Sequence, residues 1–244
     1  MTHFVLVHGA WEGAWSWDKI QPTLEQNGNK VTAIDLPGSP GNQQPLAQVT
    51  LDNYVQTVAG AISALDHRVV LVGHSLAGAI ISNVAEAIPD KIERLVYVTA
   101  FLLENGDSIW NAMPRDPGGE FLPELIFAED QSHASASEAT WRSKAFHDVT
   151  EADIQNALPR VNGLAQATQP FLATVSVSEA RFGTVSKTYI RTSIDKMVSP
   201  ALQDEMLAAT KVDTVHTLVS GHFPTLSVPS ELADLILKSA LVPA

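Results

Sequence analysis

Short apolar runs alternate with segments of helical periodicity along most of the chain. Apolar runs of about four to eight residues between turn residues are typical of buried strands, whereas apolar residues spaced three and four apart indicate amphipathic helices. The predicted strands are residues 4–7, 30–35, 69–72, 94–100, 187–191 and 212–219. The predicted helices are residues 18–27, 50–65, the segment that follows Ser75, 200–210 and 229–241. Strands that alternate with helices imply a mostly parallel sheet flanked by helices on both faces, which is an α/β fold.

Polar residues and glycine mark the ends of some predicted helices. Thr50 directly precedes the apolar stripe of residues 51–65 and is expected to cap that helix, because a threonine side chain accepts hydrogen bonds from its first N–H groups. Thr150 with Asp153 resembles the capped start of another helix. Gly28 lies where a C-terminal cap glycine belongs.

The alternation stops after Phe101 and resumes at Lys187. Bulky aromatic residues lie between them among proline, glycine and polar residues, and they are Trp110, Phe121, Phe127, Trp141, Phe146 and Phe171. Residues 138–146 and 150–158 have helical spacing. We interpret the segment as an insertion, a mostly helical cap over the carboxyl edge of the sheet.

The predicted domain boundaries follow from this interruption. Residues 1–103 and 187–244 form the predicted core, and residues 104–186 form the predicted cap, or lid. The alternative is two ordinary crossover helices joined by long loops. The chain shows no internal repeat and no low-complexity tract.

Composition restricts the classes of function. A chain of 244 residues suffices for one large domain with a substantial core. Hydrophobic residues at 45% and charged residues at 17% indicate a globular protein. A net charge of −12 argues against nucleic acid or an anionic membrane surface as a partner. The absence of cysteine excludes a disulfide framework, a thiolate nucleophile and a cysteine metal site.

The expected location is the cytoplasm. Residues 1–9 lack the basic start and long apolar core of a signal peptide. No apolar run reaches the roughly 18 residues that a membrane-spanning helix needs. We therefore expect a soluble protein with no membrane partner.

Ser75 lies in a turn between the predicted strand 69–72 and a helix, which is the setting of a nucleophile elbow. Such a turn strains the backbone of its serine, so the residues two positions before and after it must be small. Here they are Gly73 and Ala77, and Ala77 is a mild departure because most elbows have glycine at both positions. The turn would lift the hydroxyl off the sheet and direct the helix N-terminus at developing negative charge. The alternative is an ordinary Gly-Ser turn between a strand and a helix.

Side chains that suit acyl transfer follow three predicted strands: Ser75, Asp195 and His222. The carboxyl ends of parallel strands meet at one edge of a sheet, so these side chains are expected to converge. Ser75 would be the nucleophile, His222 the general base, and Asp195 the acid that orients the imidazole. Asp213 and Asp204 are weaker candidates for the acid, because one lies at a strand start and the other within a helix. The simpler alternatives are that Asp195 and His222 are ordinary turn residues.

The tetrahedral intermediate of acyl transfer needs hydrogen-bond donors for its oxyanion. The N–H of Leu76, directly after the nucleophile, is one candidate, and the N–H of Ala10, in the loop after the first strand, is the other. Loss of one such donor typically costs about 3 kcal/mol of transition-state stabilisation. His74, inside the elbow, is expected to pack structurally.

Segments of the core resemble the α/β-hydrolase superfamily and, within it, the branch that contains plant methyl esterases and hydroxynitrile lyases. The similar segments are residues 3–10 (HFVLVHGA), 13–17 (GAWSW), 30–36 (KVTAIDL) and 70–78 (VLVGHSLAG). The cap is only loosely similar to that branch. The resemblance implies the α/β-hydrolase fold with a cap insertion.

The resemblance also implies a serine hydrolase, a carboxylesterase that cleaves small to medium apolar esters through an acyl-enzyme. It gives catalytic roles to Ser75, His222 and Asp195, and it gives the oxyanion hole to Ala10 and Leu76. It implies a small-molecule ester as partner, no cofactor and no metal ion, and a homodimer, because relatives are often dimeric. The residues expected to line the substrate pocket are Gly9, Trp11, His74, Phe121, Trp141 and Phe223.

Two positions distinguish esterases from hydroxynitrile lyases in this branch. The lyases usually carry threonine where this chain has Gly9, and lysine directly after the catalytic histidine, where it has Phe223. Both differences favour ester hydrolysis. Trp11 replaces a smaller residue that is common in the plant enzymes, which affects the size of the pocket. A lyase or a lactonase on the same triad, and a receptor-like binding protein with slow turnover, are the alternatives.

Overall fold

The computed structural model describes residues 1–241, and a parallel sheet of six strands lies at its centre. The strands, in chain order, are β1 (His3–Val7), β2 (Lys30–Ile34), β3 (Val69–His74), β4 (Ile92–Val98), β5 (Ile126–Phe127), β6 (His133–Ser135), β7 (Gln166–Ala167), β8 (Lys187–Thr192) and β9 (Thr214–Leu218). The central sheet has the order β2-β1-β3-β4-β8-β9, and each neighbouring pair in it is parallel. The predicted α/β fold is therefore confirmed.

Helices connect these strands. The α-helices are α1 (Gln21–Leu24), α2 (Leu51–Ser63), α3 (Ala77–Ala87), α4 (Ile109–Ala112), α5 (Glu138–Thr140), α6 (Glu151–Val161), α7 (Gln169–Leu172), α8 (Pro200–Ala209), α9 (Pro224–Ser227) and α10 (Pro229–Leu241). Short 3₁₀ turns lie at Ala14–Trp17, Gln26–Gly28, Leu46–Gln48, Pro89–Lys91, Met113–Arg115, Leu122–Glu124 and Phe182–Thr184, and a π-helical turn lies at Trp141–Ala145.

The helix predicted over residues 18–27 is wrong in its extent. Only Gln21–Leu24 is α-helical, between two 3₁₀ turns. Pro22 lacks the N–H that a residue inside a helix donates, so α1 begins directly before it, at Gln21. Gly28 has a φ of 78° and turns the chain toward β2.

Strands β1 and β3, in the middle of the central sheet, send alternate side chains into two separate cores. Phe4, Leu6 and Val70 pack in the core that contains α1 and α10. Val5 and Leu71 pack in the core that contains α2 and α3. Because both of their faces are covered, these two strands have continuous apolar sequences, and this is why their positions were predictable.

The predicted N-terminal caps of α2 and α6 are present. The Thr50 hydroxyl accepts a hydrogen bond from the Asn53 N–H at 3.1 Å, and the Asn53 side chain accepts one from the Thr50 N–H at 3.1 Å. The Thr150 hydroxyl accepts from the Asp153 N–H at 3.3 Å and donates to the Asp153 carboxylate at 2.8 Å. These local bonds fix where both helices begin.

The segment between β4 and β8 contains α4 to α7 and a small antiparallel sheet, β5-β6-β7. The sequence pattern does not predict this sheet, because strands of two or three residues are too short to show alternation. The sheet contacts the loop after β1, since the Trp11 indole donates to the Ala134 carbonyl at 2.8 Å and the Trp11 N–H donates to the Gln166 side chain at 3.1 Å. These bonds hold the segment beside the carboxyl edge of the central sheet. The division into a core and a cap stays a prediction.

Candidate active site

Ser75 lies in the sharp turn between β3 and α3. Its φ of 55° is in the left-handed region that few residues other than glycine adopt. Its N–H donates to the Val98 carbonyl at 3.2 Å, which ties the turn to the end of β4. A Cβ at Gly73 would lie 3.0 Å from the Ala77 carbonyl oxygen, so glycine at that position permits the tight turn. The turn has the geometry of a nucleophile elbow, and the departure at Ala77 does not disturb it.

The structure brings Ser75, His222 and Asp195 into one chain of hydrogen bonds. Ser75 Oγ lies 2.9 Å from His222 Nε2, and His222 Nδ1 lies 2.7 Å from Asp195 Oδ2. All three residues are buried, and Ser75 is the most exposed of them at 6%. They follow β3, β8 and β9, so the carboxyl ends of these strands converge at one edge of the sheet.

The two weaker candidates for the acid lie elsewhere. Asp213 accepts a hydrogen bond from the Lys187 N–H at 2.7 Å, at the start of β8 and therefore at the opposite end of that strand from Asp195. Asp204, in α8, forms an ion pair with Arg191 at 2.8 Å. His222 is bonded to Asp195 and to neither of them.

Asp195 is held as a carboxylate. Its Oδ1 accepts from the N–H groups of Met197 at 2.7 Å and Val198 at 3.0 Å, and its Oδ2 accepts from the Thr99 hydroxyl at 2.6 Å. Burial alone would raise the pKa of Asp195, but the His222 contact and these hydrogen bonds hold that pKa below its usual value. The carboxylate therefore accepts the Nδ1–H of His222, which leaves Nε2 to accept the hydroxyl proton of Ser75.

The two predicted oxyanion donors, the N–H groups of Ala10 and Leu76, donate no hydrogen bond within the described residues 1–241. Leu76 directly precedes α3, whose N-terminus carries partial positive charge. Ala10 lies in the loop after β1, where Trp11 has a φ of 59°. One unused amide directly follows Ser75, and the other follows Gly9, which packs against Ser75. Two such amides suit a developing oxyanion.

Four of the predicted pocket residues form what we call the aromatic wall: Trp11, Phe121, Trp141 and Phe223. The Trp11 ring centroid lies 5.6 Å from Phe121 and 6.0 Å from Trp141, and Trp141 lies 6.3 Å from Phe223. The Phe223 ring lies 5.5 Å from the His222 ring. All four side chains are buried. The wall therefore connects the predicted cap to the catalytic histidine.

Two further aromatic residues contact the wall and were not predicted to do so. The Phe146 ring lies 4.9 Å from Phe223, and the Phe171 ring lies 5.7 Å from Trp11. The sequence shows both only as aromatic residues of the insertion. Their positions depend on the packing of α5 to α7, which periodicity does not specify.

An apolar groove opens beside Trp11. Its lining includes the apolar side chains of Trp110, Met113, Leu125, Phe127 and Phe171. Trp110 and Phe127 pack edge to face at 6.3 Å and are partly exposed. Because Trp11 belongs to both features, the groove is continuous with the aromatic wall.

His74 and Gly9 lie behind Ser75 and contact Glu12, a residue that sequence reasoning missed. His74 Nδ1 lies 2.8 Å from Glu12 Oε1, and His74 Nε2 donates to the His222 carbonyl at 2.7 Å. A Cβ at Gly9 would lie 2.4 Å from the Glu12 carboxylate and 3.0 Å from Ser75 Cβ, so only glycine fits there. Nothing in the sequence marks Glu12, because an acidic loop residue is ordinarily exposed.

Among residues 1–241, no group of histidine, aspartate and glutamate side chains is arranged to hold a metal ion. In the same part of the chain, no helix has the length and apolar character needed to cross a membrane.

Comparisons with known proteins show which family and which proteins the chain is similar to. The model of a family described as the alpha/beta hydrolase family matches residues 4–235. The chain is 32% identical to putative methylesterase 11, chloroplastic, of Arabidopsis thaliana over 99% of its own length, and it spans 64% of that longer protein. It is 30% identical to methylesterase 7 of the same plant, over 97% of this chain and 95% of that one. A crystal structure of a pyrethroid hydrolase from Sphingobium faniae JZ-2 is similar with a TM-score of 0.85 and 27% identity, and the match covers 99% of this chain and 98% of that chain.

Proposed function

The chain belongs to the alpha/beta hydrolase family, and from that membership we propose that it is a carboxylic ester hydrolase. It cleaves small to medium apolar esters through an acyl-enzyme on Ser75. The observation that carries the proposal is the hydrogen-bonded chain from Ser75 through His222 to Asp195. Further support comes from similarity, over nearly the whole chain, to proteins named as methylesterases and as a pyrethroid hydrolase.

Acylation begins when Ser75 Oγ attacks the ester carbonyl carbon and His222 Nε2 takes the hydroxyl proton. The carbonyl oxygen becomes an oxyanion and accepts hydrogen bonds from the Ala10 and Leu76 amides. The imidazolium of His222 is stabilised by the Asp195 carboxylate. When the carbon–oxygen bond to the alcohol breaks, His222 gives its proton to the leaving alkoxide, and the acyl group stays on Ser75.

Deacylation repeats these steps with water as the nucleophile. His222 takes a proton from the water, whose oxygen attacks the acyl carbon. The same two amides bind the second oxyanion. His222 then returns the proton to Ser75 Oγ as the carboxylic acid leaves. Every proton is handled by the triad, so the proposed mechanism requires no cofactor and no metal ion.

The surroundings of the triad support an apolar substrate. The aromatic wall offers ring faces and edges and few polar groups, and the groove beside Trp11 continues the apolar surface. The net charge of −12 does not favour an anionic substrate. We therefore propose neutral esters with an apolar acyl or alcohol part.

A hydroxynitrile lyase is less well supported. Phe223 occupies the position directly after the catalytic histidine, and its ring packs against Phe146 and His222. Gly9 offers no hydroxyl to orient a cyanohydrin. The proteins to which the chain is similar in the comparisons above are named for hydrolysis of esters.

A cytoplasmic location and a homodimer are part of the same proposal. The homodimer is supported by the resemblance to a branch whose members are often dimeric. One relative is named as chloroplastic, so the location is decided by experiment. Sedimentation velocity of the purified protein gives its mass, and cell fractionation gives its location. A monomer at all concentrations or a membrane-bound pool would contradict these two statements without affecting the esterase.

The test of the esterase is turnover of p-nitrophenyl acetate, p-nitrophenyl butyrate and methyl esters, with labelling by a fluorophosphonate. We expect a burst of p-nitrophenol and a label on Ser75, both lost in Ser75→Ala. Ser143→Ala, which changes an exposed serine, is the matched control and keeps the label. A wild-type protein with neither burst nor label overturns the proposal and favours a receptor-like protein, whereas hydrolysis of lactones alone favours a lactonase.

A further inference from the structure

Glu12 and His74 form a pair with both side chains buried, directly behind the triad. The His74 side chain is fully buried, and that of Glu12 is 1% exposed. Glu12 comes from the loop after β1, His74 is the last residue of β3, and the pair reaches the loop after β9 through the carbonyl of His222. The pair therefore connects the segments that carry an oxyanion donor, the nucleophile and the base.

We propose that Glu12 and His74 are a charged pair, carboxylate beside imidazolium, that positions His222 and the Gly9 loop for ester hydrolysis. The proposal rests on the proposed function, because it concerns the base of ester hydrolysis. The mechanism above gives this pair no role. Glu12 and His74 are positioning residues, since both act through His222 and through the Gly9 loop.

Hydrogen bonding fixes one proton of His74. A carbonyl oxygen only accepts, so the 2.7 Å contact with the His222 carbonyl requires a proton on Nε2. The second proton lies between Nδ1 and Glu12 Oε1, at 2.8 Å. If His74 holds this proton, the pair is charged; if Glu12 holds it, both groups are neutral.

The balance of burial and charge places that proton on His74. Burial alone would lower the pKa of His74, but the Glu12 carboxylate and its hydrogen bond raise that pKa above its usual value. Burial alone would raise the pKa of Glu12, but His74 holds it below its usual value. Both directions favour the ion pair.

The other titratable groups around His74 do not supply a competing cation. They are His8 at the loop after β1, Asp195 after β8 and His222 after β9. His8 is neutral, because burial lowers its pKa and its Nε2 accepts a hydrogen bond from the Leu36 N–H at 3.1 Å. Asp195 is an anion and adds to the attraction for a cation at His74.

The imidazolium of His74 lies close to the ring of His222, with 4.8 Å between centroids. Glu12 binds the other nitrogen of His74, the one that does not contact His222. His222 therefore lies nearer to the positive member of the pair. The hydrogen bond from the imidazolium to the His222 carbonyl is charge-assisted, so it holds the backbone of His222 more firmly than a neutral histidine would.

The pair also supports the backbone next to the nucleophile. The Glu12 carboxylate packs against Gly9, where an added Cβ would lie 2.4 Å from Oε1. Gly9 directly precedes Ala10, whose N–H is the proposed oxyanion donor. The other carboxylate oxygen, Oε2, is buried without a hydrogen-bond partner in the described residues. A buried carboxylate held by one partner is costly, and a charged partner offsets this cost.

Glu12→Gln is the decisive variant because it keeps the shape and removes the charge. The amide donates to an unprotonated Nδ1 while Nε2–H still donates to the His222 carbonyl, so His74 becomes neutral. We expect kcat for p-nitrophenyl acetate to fall by roughly tenfold with KM little changed, because the charge-assisted hydrogen bond to the His222 carbonyl becomes a neutral one.

Two controls separate this effect from a structural one. Glu12→Asp retains the charge and should recover part of the lost kcat, whereas a merely structural role would make the shorter side chain the more damaging change. Glu86→Gln changes a carboxylate at the far end of α3, which accepts from the N–H groups of Ser178 and Phe182 and also has a lowered pKa. Its kcat should match the wild type.

A spectroscopic measurement tests the pair without ester turnover. The histidine nitrogens are labelled with ¹⁵N. The signals that the wild type shows and His74→Gln lacks are those of His74. We expect both ring nitrogens of His74 to carry protons at pH 8 in the wild type and only one to do so in Glu12→Gln. This readout on the wild type decides the case even where Glu12→Gln does not fold.

A neutral His74 at pH 8 overturns the proposal, and so does a folded Glu12→Gln whose kcat equals that of the wild type. Failure of the proposed function has a different signature. If the proposed function is wrong, the wild type shows no ester hydrolysis that depends on Ser75, while both ring nitrogens of His74 still carry protons.

Discussion

Thr99 donates a 2.6 Å hydrogen bond to Asp195 Oδ2, the same oxygen that binds His222. Thr99 follows β4 and has a φ of 38°, and its own N–H donates to the Ile190 carbonyl at 2.9 Å. β4 lies between the strands that lead to Ser75 and Asp195 and contributes no member of the triad. Through Thr99, β4 nevertheless orients the Asp195 carboxylate, which in turn orients the His222 imidazole.

Replacing Thr99 by valine should slow ester hydrolysis without stopping it. Valine keeps the shape of threonine and loses the hydrogen bond to an ionised group, which is worth about 1.5–3 kcal/mol. We expect kcat/KM to fall by roughly ten- to a hundredfold, measured with p-nitrophenyl acetate. Thr188→Val is the matched control, because the Thr188 hydroxyl is buried without a partner among the described residues. Equal activities of Thr99→Val and the wild type would contradict this role.

Ser75→Ala should remove esterase turnover and leave the fold intact. The serine hydroxyl makes its hydrogen bond to His222 and is otherwise a small side chain in a turn. His222→Ala should be nearly as damaging, and the double variant should lose little more, because the residues act as a unit. Circular dichroism and turnover of p-nitrophenyl butyrate measure the two effects. Near-wild-type turnover by Ser75→Ala would exclude the mechanism.

Asp195→Asn should lower kcat by orders of magnitude, about 10⁴ in the best-studied triad, because an amide favours the wrong tautomer of the histidine. Asp213→Asn and Asp204→Asn should leave kcat nearly unchanged, since these carboxylates bind Lys187 and Arg191 away from the site. Steady-state kinetics of the three variants provide the comparison. A large loss in Asp213→Asn alone would show that the acid is misassigned.

The positions of Ser75 and Asp195 could be predicted because each follows a buried strand, whereas His222 follows the edge strand β9, in which only Leu218 is buried. A strand covered on both faces has a continuous apolar sequence, as in residues 69–72, so its end is visible and the topology brings such ends together. Glu12 could not be predicted, because its burial depends on one histidine from another strand. The antiparallel sheet at Ile126–Phe127, His133–Ser135 and Gln166–Ala167 was equally hidden, since its pairing is set by tertiary contacts and not by periodicity.

Ester hydrolysis should slow as the pH falls, because His222 must be neutral to accept the Ser75 proton. Histidine side chains ordinarily titrate near about 6.5. Asp195 does not contribute to this limb, since its pKa lies below its usual value and it stays ionised. The logarithm of kcat/KM should fall with a slope of about one on the acidic side. A rate that is flat down to about pH 4, well below the range of histidine, would count against His222 as the base.

The lowered pKa of Asp195 also predicts acid destabilisation. The folded state holds the proton on Asp195 less tightly than the unfolded chain does, so ionisation of Asp195 stabilises the fold above the unfolded pKa near 3.8. This contribution is lost as the pH falls through the folded pKa. The free energy of unfolding in urea should therefore decrease below about pH 4, and it should decrease less steeply in Asp195→Asn. Equal slopes for both proteins would contradict the shift.

The environment of Phe223 bears on the choice between ester hydrolysis and cyanohydrin cleavage. Its ring packs against the rings of His222, His74 and Phe146 at 5.5, 5.4 and 4.9 Å. This corner of the site is therefore apolar. The proposed imidazolium of His74 donates its two N–H groups to Glu12 and to the His222 carbonyl, so it has no free donor for a departing anion.

The protein should hydrolyse esters and show no appreciable cleavage of mandelonitrile. Cyanohydrin cleavage releases cyanide, and an anion that departs into an apolar corner without a free donor is strongly disfavoured. Ester hydrolysis needs only the Ala10 and Leu76 amides and a histidine that protonates the alkoxide. Mandelonitrile cleavage and hydrolysis of methyl and p-nitrophenyl esters should be measured on one preparation, with Ser75→Ala as the background. Phe223→Lys offers the converse test, since a cation beside His222 should raise cyanohydrin cleavage above that background. Efficient mandelonitrile cleavage that depends on Ser75, with ester turnover at background, would show that the apolar corner does not decide the reaction.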